Sequence, residues 1–353
     1  MEKVKIGILG LGAISGIYLK NLSSVFRNVE ILGIYDLIEE KAEKVQEEYH
    51  IPKVYKSMEE MLDDPKIEIV LNLTRPLEHY HVTKAALLAG KHVYSEKPLA
   101  TTFEEGQELL NLAKERNLLL GGAPDTFLGA GIQTCKKIID SGFIGRPIGA
   151  AAFMICHGHE SWHPAPEFYY QTGGGPMMDM GPYYLTALVN LMGSVKGLTG
   201  IAKKNFAQRL ITSEPLYGKI IDVEVPTHYN GILDFENGAT ATITTTFDVH
   251  YTQQARFEVY GTEGTLIVPD PNTFGGPVKL LSGKENEYKE MPLLFDYSEN
   301  SRGLGLSNMA DALREIGDFR ANGDQMLHVL EIMTGFEKSS NAGSYLELST
   351  RLS

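Results

Sequence analysis

Two short stretches hold residue types in an order that can bind a phosphate and move a proton. The first is Gly10-Leu-Gly12-Ala13-Ile14-Ser15-Gly16, set where an apolar run gives way to a helical period. Gly10 suits the tight turn, Gly12 the close approach of backbone to a pyrophosphate, and Ser15 the small residue needed where helix packs on strand, with the anion at the helix N-terminus. Asp36 stands 20 residues beyond Gly16. An acid there can accept both ribose hydroxyls of an adenosine and repel a 2′-phosphate, so NAD(H) is expected over NADP(H). Asp36 also suits a cap on the helix beginning near Ile38, and the two roles are compatible.

The second stretch is Glu96-Lys97-Pro98, at the end of a strand that follows Gly90. The carboxyl end of a parallel strand is the face where open α/β sheets bind ligands. Lys97 supplies a cation able to donate to a hydroxyl or ketone oxygen, and Pro98 can stiffen the peptide that aims it. An exposed structural ion pair has the same spacing. Further on, the segment from His157 to Tyr170 concentrates three of the ten histidines and the only tryptophan. Trp162, His163 and Tyr169 offer aromatic faces with polar partners, which suit the apolar C–H faces and hydroxyl rims of a sugar. The same segment could equally be a loop packed on a sheet by its own rings. His157, His159 and Glu160 match no standard ligand spacing, so no metal site is expected. Asp125 and Thr126 follow the fifth strand and open onto substrate by strand order, unless Asp125 caps the helix starting near Gly131.

These residues need elements to hold them. Val4–Leu9, Glu30–Tyr35, Ile67–Leu73, His92–Ser95 and Leu118–Gly121 are apolar runs without alternation, as strands covered on both faces should be. Between them, Ser15–Val25, Ile38–Tyr49, Leu77–Leu88 and Phe103–Arg116 carry helical spacing, with Met58–Leu62 a shorter helix and Thr101 or Thr102 a cap. Strand and helix in turn spell a parallel sheet. Past Gly145-Arg146-Pro147 the rhythm changes. Ile148–His157, Thr227–Phe235 and Ala239–Phe247 around Asn237-Gly238, then Ala255–Tyr260 and Thr265–Val268, predict an antiparallel sheet. Pro182–Met192, Ser307–Phe319 and Asp324–Ser340 are expected helices.

The chain has 353 residues, more than one core usually organises, so two domains are expected, residues 1–124 and 125–353. Apolar residues make up 43% and charged ones 22%, the range of folded proteins. Thirty-two Lys and Arg against 45 Asp and Glu leave a net charge of −13, which disfavours nucleic acid and anionic membranes. It also favours a neutral polyol over a sugar phosphate unless Lys97 or Arg75 offsets the charge. Two cysteines, Cys135 and Cys156, suit a reducing cytoplasm. The apolar run Ile6–Leu19 carries four glycines, which suit a turn better than a signal helix, and no other stretch approaches a membrane span; a soluble protein is expected.

The whole set resembles the Gfo/Idh/MocA family of sugar and inositol oxidoreductases. The matching residues are the glycine stretch, Thr74-Arg-Pro76 with His79, Gly90-Lys-His-Val-Tyr-Ser-Glu96-Lys97-Pro98, Asp140-Ser-Gly-Phe-Ile-Gly-Arg-Pro147 and Gly173-Gly-Gly-Pro-Met-Met-Asp179-Met-Gly181. The resemblance implies a Rossmann domain followed by an α+β domain whose open, mostly antiparallel sheet forms a homo-oligomer, a dimer or tetramer, with the active site between domains. It places Thr74, His79 and Glu96 with Gly10, Gly12, Ala13, Ile14 and Asp36 at the cofactor, and Lys97 at both the nicotinamide and the reacting hydroxyl.

The family's second signature is an Asp and, four residues later, a His on one helix face that meets the substrate. Here Asp179 matches but Tyr183 stands in place of the His. Positions i and i+4 share a helix face, so the pair can still reach one hydroxyl. A free tyrosine titrates near ~10 and a histidine near ~6.5, so Tyr183 as a base needs a neighbouring cation such as Lys97. Lys97 itself, His163 from the preceding loop, or water with Tyr183 only binding, compete for that task. The expected activity is NAD-dependent oxidation of a secondary hydroxyl of a sugar, inositol or derivative, or the reverse. An NAD-assisted glycosidase working by transient oxidation and elimination, and a non-catalytic NAD or sugar sensor, are the rivals.

Overall fold

The computed structural model describes residues 2–254 and 256–352; Ala255, expected to open one strand, lies outside the described residues. The chain forms two units, one of residues 1–128 with 300–330 and one of 129–299 with 331–353. This corrects the single boundary expected after residue 124. The reason is a return of the chain: Asn21 Nδ2 donates to the carbonyls of Asn300 and Arg302, and Asn28 to that of Ser307, so residues 300–330 close on the first unit.

The first unit is built on strands β1 (Val4–Leu9), β2 (Val29–Tyr35), β3 (Lys53–Val54), β4 (Ile69–Asn72), β5 (His92–Ser95) and β6 (Leu120–Gly122), all parallel in the order β3-β2-β1-β4-β5-β6. That order reverses between β1 and β4, the crevice where such sheets bind ligands. Helices α1 (Ser15–Ser24), α2 (Glu39–Tyr49), α3 (Met58–Leu62), α4 (His79–Leu88) and α5 (Phe103–Glu115) connect them. Residues Ile69, Val70, Leu71 and Ile6 are fully buried, as runs lacking alternation require. Thr102 caps α5 in a reciprocal box with Glu105.

The second unit opens with α6 (Ala130–Asp140) and strand β7 (Pro147–Ile155), followed by the helices α7 (Gly175–Asp179) and α8 (Gly181–Met192). Then come β8 (Val195–Lys203), the paired β9 (Gln208–Leu210) and β10 (Ile220–Asp222), β11 (His228–Phe235), β12 (Thr240–Thr246), β13 (Phe257–Gly261), β14 (Gly264–Ile267), β15 (Val278–Ser282) and β16 (Lys289–Met291). With β17 (Leu346–Glu347) they make a nine-stranded sheet, β16-β15-β14-β13-β7-β12-β11-β8-β17, antiparallel except between β7 and β12. Helix α9 (Leu304–Leu313) belongs to the first unit, and α10 (Gly323–Ala342) carries the chain from the first unit into the second. The expected helix to Phe319 stops at Leu313 because Glu315 and Gly317 adopt φ of 58° and 73°. Among the described residues no helix is long and apolar enough to cross a membrane.

Candidate active site

In the first unit the chemistry lies at the carboxyl ends of β1, β2, β4 and β5. Gly10 leaves β1 with φ of 90°, and a Cβ there would sit 2.8 Å from the Leu73 carbonyl, so no other residue fits the turn. A Cβ at Gly12 would meet nothing within 4 Å. Ala13 and Ile14 lead into α1, whose start carries neither a side-chain cap nor an acid in its first turn. Ser15 is buried and donates its hydroxyl to the Gly12 carbonyl at 2.7 Å. An open glycine before an uncapped helix start is the cradle a pyrophosphate needs, so the residues fit a dinucleotide.

Asp36, at the end of β2, accepts from Leu11 N at 2.7 Å and from Ile38 N at 2.9 Å, one bond on each oxygen. The first bond ties it to the glycine turn and the second is a local turn ahead of α2. Each carboxylate oxygen keeps a further lone pair for a ribose hydroxyl.

At β4, buried Asn72 accepts from both the backbone N–H and the hydroxyl of Thr74, and donates to the His79 carbonyl and Thr83. The His79 ring is buried, its Nδ1 2.6 Å from the Pro98 carbonyl and its Nε2 3.0 Å from that of Thr74. Burial outweighs the pull of those carbonyls and holds its pKa below the ordinary value. A neutral ring donates to only one of them. His79 thus braces either the segment after Lys97 or the Thr74 carbonyl, according to which nitrogen carries the proton. Glu96 is buried too, accepting from the Tyr18 hydroxyl at 2.7 Å and from Lys97 N at 3.0 Å. Burial, with the charges of Glu96 and Asp125, pushes the Tyr18 phenol well above its ordinary value, so it stays a donor. Tyr18 stands on α1, and through Glu96 the helix of the glycine turn orients the main chain of half-buried Lys97.

Asp125, expected to meet substrate, is instead fully buried and accepts from Gly303 N at 2.8 Å and Gly305 N at 3.1 Å. It caps the start of α9, since the returning chain brings those amides to it; the cap is not on α6.

In the second unit Asp179 and Tyr183 stand on two successive helices rather than on the single helix expected. Asp179 ends α7, Met180 caps both helices, and Pro182 sits in the first turn of α8. Tyr183 is buried, whereas Asp179 keeps partial exposure. What the fold brings to Asp179 is His159, Nε2 to Oδ2 at 3.7 Å. The imidazole stacks on Tyr169 at 3.9 Å between centroids and lies 5.3 Å from Trp162. His163 stands edge-on to Trp162 and Tyr169, and Trp162 itself is 62% exposed, so one face of the cluster is open.

A buried ionic network holds this segment. Glu160 accepts from Arg209 Nη1 at 2.9 Å, from the Tyr170 hydroxyl and from His159 N at 2.9 Å. Arg209 also pairs with Asp248 and donates to the Phe247 carbonyl at 2.9 Å. Gly158 has φ of 83°, and a Cβ there would lie 2.1 Å from the Tyr170 oxygen. His157 stacks on His250 at 3.4 Å, so it and its sequence neighbours His159 and Glu160 point to different partners. Sequence reasoning placed His159 in the right segment but not beside Asp179, and it missed Tyr18, Asn72, Arg209 and Asp248.

A parallel sheet with a glycine turn at its switch point, an acid at the end of the second strand and a glutamate-braced lysine after the fifth defines a dinucleotide-dependent oxidoreductase. The chain belongs to the Gfo/Idh/MocA family: the model for the oxidoreductase family's NAD-binding Rossmann fold matches residues 4–122, and that for the family's C-terminal domain matches residues 132–267. Two Bacillus subtilis relatives are similar over most of their length. The scyllo-inositol 2-dehydrogenase (NAD(+)) is 26% identical, covering 89% of this chain and 87% of the relative, and the scyllo-inositol 2-dehydrogenase (NADP(+)) is 24% identical, covering 96% and 94%. Among solved structures, levoglucosan dehydrogenase in complex with NADH and L-sorbose superposes with a TM-score of 0.83 at 20% identity, covering 99% of this chain and all of that one.

Proposed function

We propose that this oxidoreductase oxidises a secondary hydroxyl of a neutral sugar, inositol or related polyol, or reduces the matching ketone, with NAD rather than NADP as its partner. The observation that carries the reading is the Tyr18–Glu96–Lys97 chain, which couples the helix of the dinucleotide turn to the main chain of the lysine at the strand end. When bound, the nicotinamide supplies the acceptor for a hydride. The glycine turn and the start of α1 hold its phosphates, and Asp36 holds the adenosine ribose. Thr74 lines the cofactor near β4, and the buried His79 ring lies between the Thr74 and Pro98 carbonyls and donates to one of them. Lys97 donates to the reacting oxygen, Asp179 and Tyr183 bind substrate hydroxyls, and Trp162, His163 and Tyr169 supply apolar faces for the ring. The names of the inositol dehydrogenase relatives support the substrate class.

The open face of the nine-stranded sheet leaves Ile201 and Ile232 about half exposed. It is the surface through which we place a homo-oligomer, a dimer or tetramer, in the cytoplasm. The test of the activity is a panel of inositols and sugars offered with NAD+ and with NADP+ in parallel, following absorbance of the reduced nicotinamide. The expected result is turnover favouring NAD+, and a loss of about 10²- to 10⁴-fold in kcat for Lys97→Ala. Undiminished turnover in that variant would overturn the role of Lys97, and a preference for NADP+ the role of Asp36. Release of chromophore from a chromogenic glycoside without net reduction would replace the dehydrogenase with a glycosidase.

A further inference from the structure

Tyr183 leaves the second unit without a histidine four residues after Asp179, yet the fold delivers one from another segment. We propose that His159 is a catalytic residue that takes up the proton of the reacting hydroxyl, in a dyad with Asp179. The inference rests on the polyol-oxidation reading above.

Three observations support it. The Nε2–Oδ2 separation of 3.7 Å is longer than a hydrogen bond, so a hydroxyl can enter beside both atoms and lie within about 2.8 Å of each. The ring is aimed by its surroundings: Tyr169 stacks on one face, Phe247 meets it edge-on at 4.6 Å, and Glu160 holds the His159 main-chain N–H. The dyad also adjoins the exposed Trp162, which gives it a route to an external ligand. A tyrosine needs a strong local cation to act as a base at neutral pH, whereas an imidazole does not.

The step balances. The substrate O–H bond breaks and its proton passes to Nε2. The carbinol C–H bond yields its electron pair as hydride to the oxidised nicotinamide, leaving a C=O bond. The imidazolium so formed faces the Asp179 carboxylate, which stabilises it. Among the charged and titratable groups around His159 are Asp179 on α7, Glu160 with its Arg209 partner, and Tyr169 and Tyr170 of the turn. Glu160 shares the Arg209 cation with Asp248, and Asp179 is the carboxylate that meets the imidazole nitrogen itself.

The test has two arms on the full chain. In the first, the His159 ring is titrated by NMR without cofactor, in the wild type and in Asp179→Asn. The dyad predicts that the variant's ring titrates at a pH lower by about one. An unmoved titration would overturn the pairing, whatever the reaction. In the second, kcat/KM is followed against pH on the best polyol of the panel. His159→Asn is expected to lose about 10²- to 10⁴-fold and the acidic limb of the profile, while Tyr183→Phe keeps that limb. An acidic limb that survives in His159→Asn would overturn the proposal even though the polyol reading stands. Absence of turnover in the wild type would instead sink the polyol reading and leave the NMR arm to decide the dyad.

Discussion

Asp125 shows how far one residue's role can lie from its position in the chain. It follows β6, where strand order points toward ligand, yet its carboxyl is sealed beneath α9. Burial, opposed by the Gly305 and Gly303 amides, pushes its pKa up to about 6. A carboxyl raised in the folded state binds a proton on folding, so its contribution to stability falls as pH rises from about 4 through 6. In Asp125→Asn the amide oxygen can still accept from both glycines and cannot ionise. Chemical denaturation from pH 4 to 7 should therefore show the variant gaining on the wild type by on the order of 3 kcal/mol. Parallel curves for the two proteins would contradict that. The places of Gly10, Asp36 and Lys97 at strand ends were legible because they depend on local order along one strand and the turn after it. His159 was not, since the contact that gives it meaning joins residues 20 apart across a chain reversal, which no spacing rule reports.

At the scale of elements, the parallel strands were readable because burial on both faces demands uninterrupted apolar runs. The nine-residue strand β8 escaped notice because Gly197 and Gly200 interrupt its pattern, and the structure explains them by the rings of Tyr345 and Phe336 lying directly over those positions. Strand β3 has two residues, too few for any period. The break at Met180 that divides Asp179 from Tyr183 was hidden because Gly181-Pro182 can start a helix as readily as end one. The segment bearing His159 owes its order to Arg209, whose side chain is 5% exposed between Glu160 and Asp248. Arg209→Ala leaves two carboxylates buried with their shared cation gone. The expected loss is about 3–5 kcal/mol in denaturant unfolding, with the His159–Tyr169 stack loosened as well. A loss below about 1 kcal/mol, the value of a solvent-exposed pair, would show that the network is dispensable.

For the whole molecule, length alone argued for two units, and two there are, but the chain visits the first one twice. Nothing in composition signals that return: the residues that secure it, Asn21, Asn28 and Asp125, read locally as ordinary polar positions. The net charge of −13 remains the best sequence-level guide to ligand class, since it sets a field against anionic substrates that the few cations near the strand ends must locally reverse. The proposed reaction passes a hydride from a polyol carbon to NAD+. Its most direct test is to offer the enzyme a polyol deuterated at the carbinol carbon and to examine the reduced nicotinamide by mass spectrometry. One deuterium retained on the nicotinamide for each ketone formed is the expected result. Reduced nicotinamide carrying only solvent hydrogen, or product released with no reduced nicotinamide at all, would contradict it.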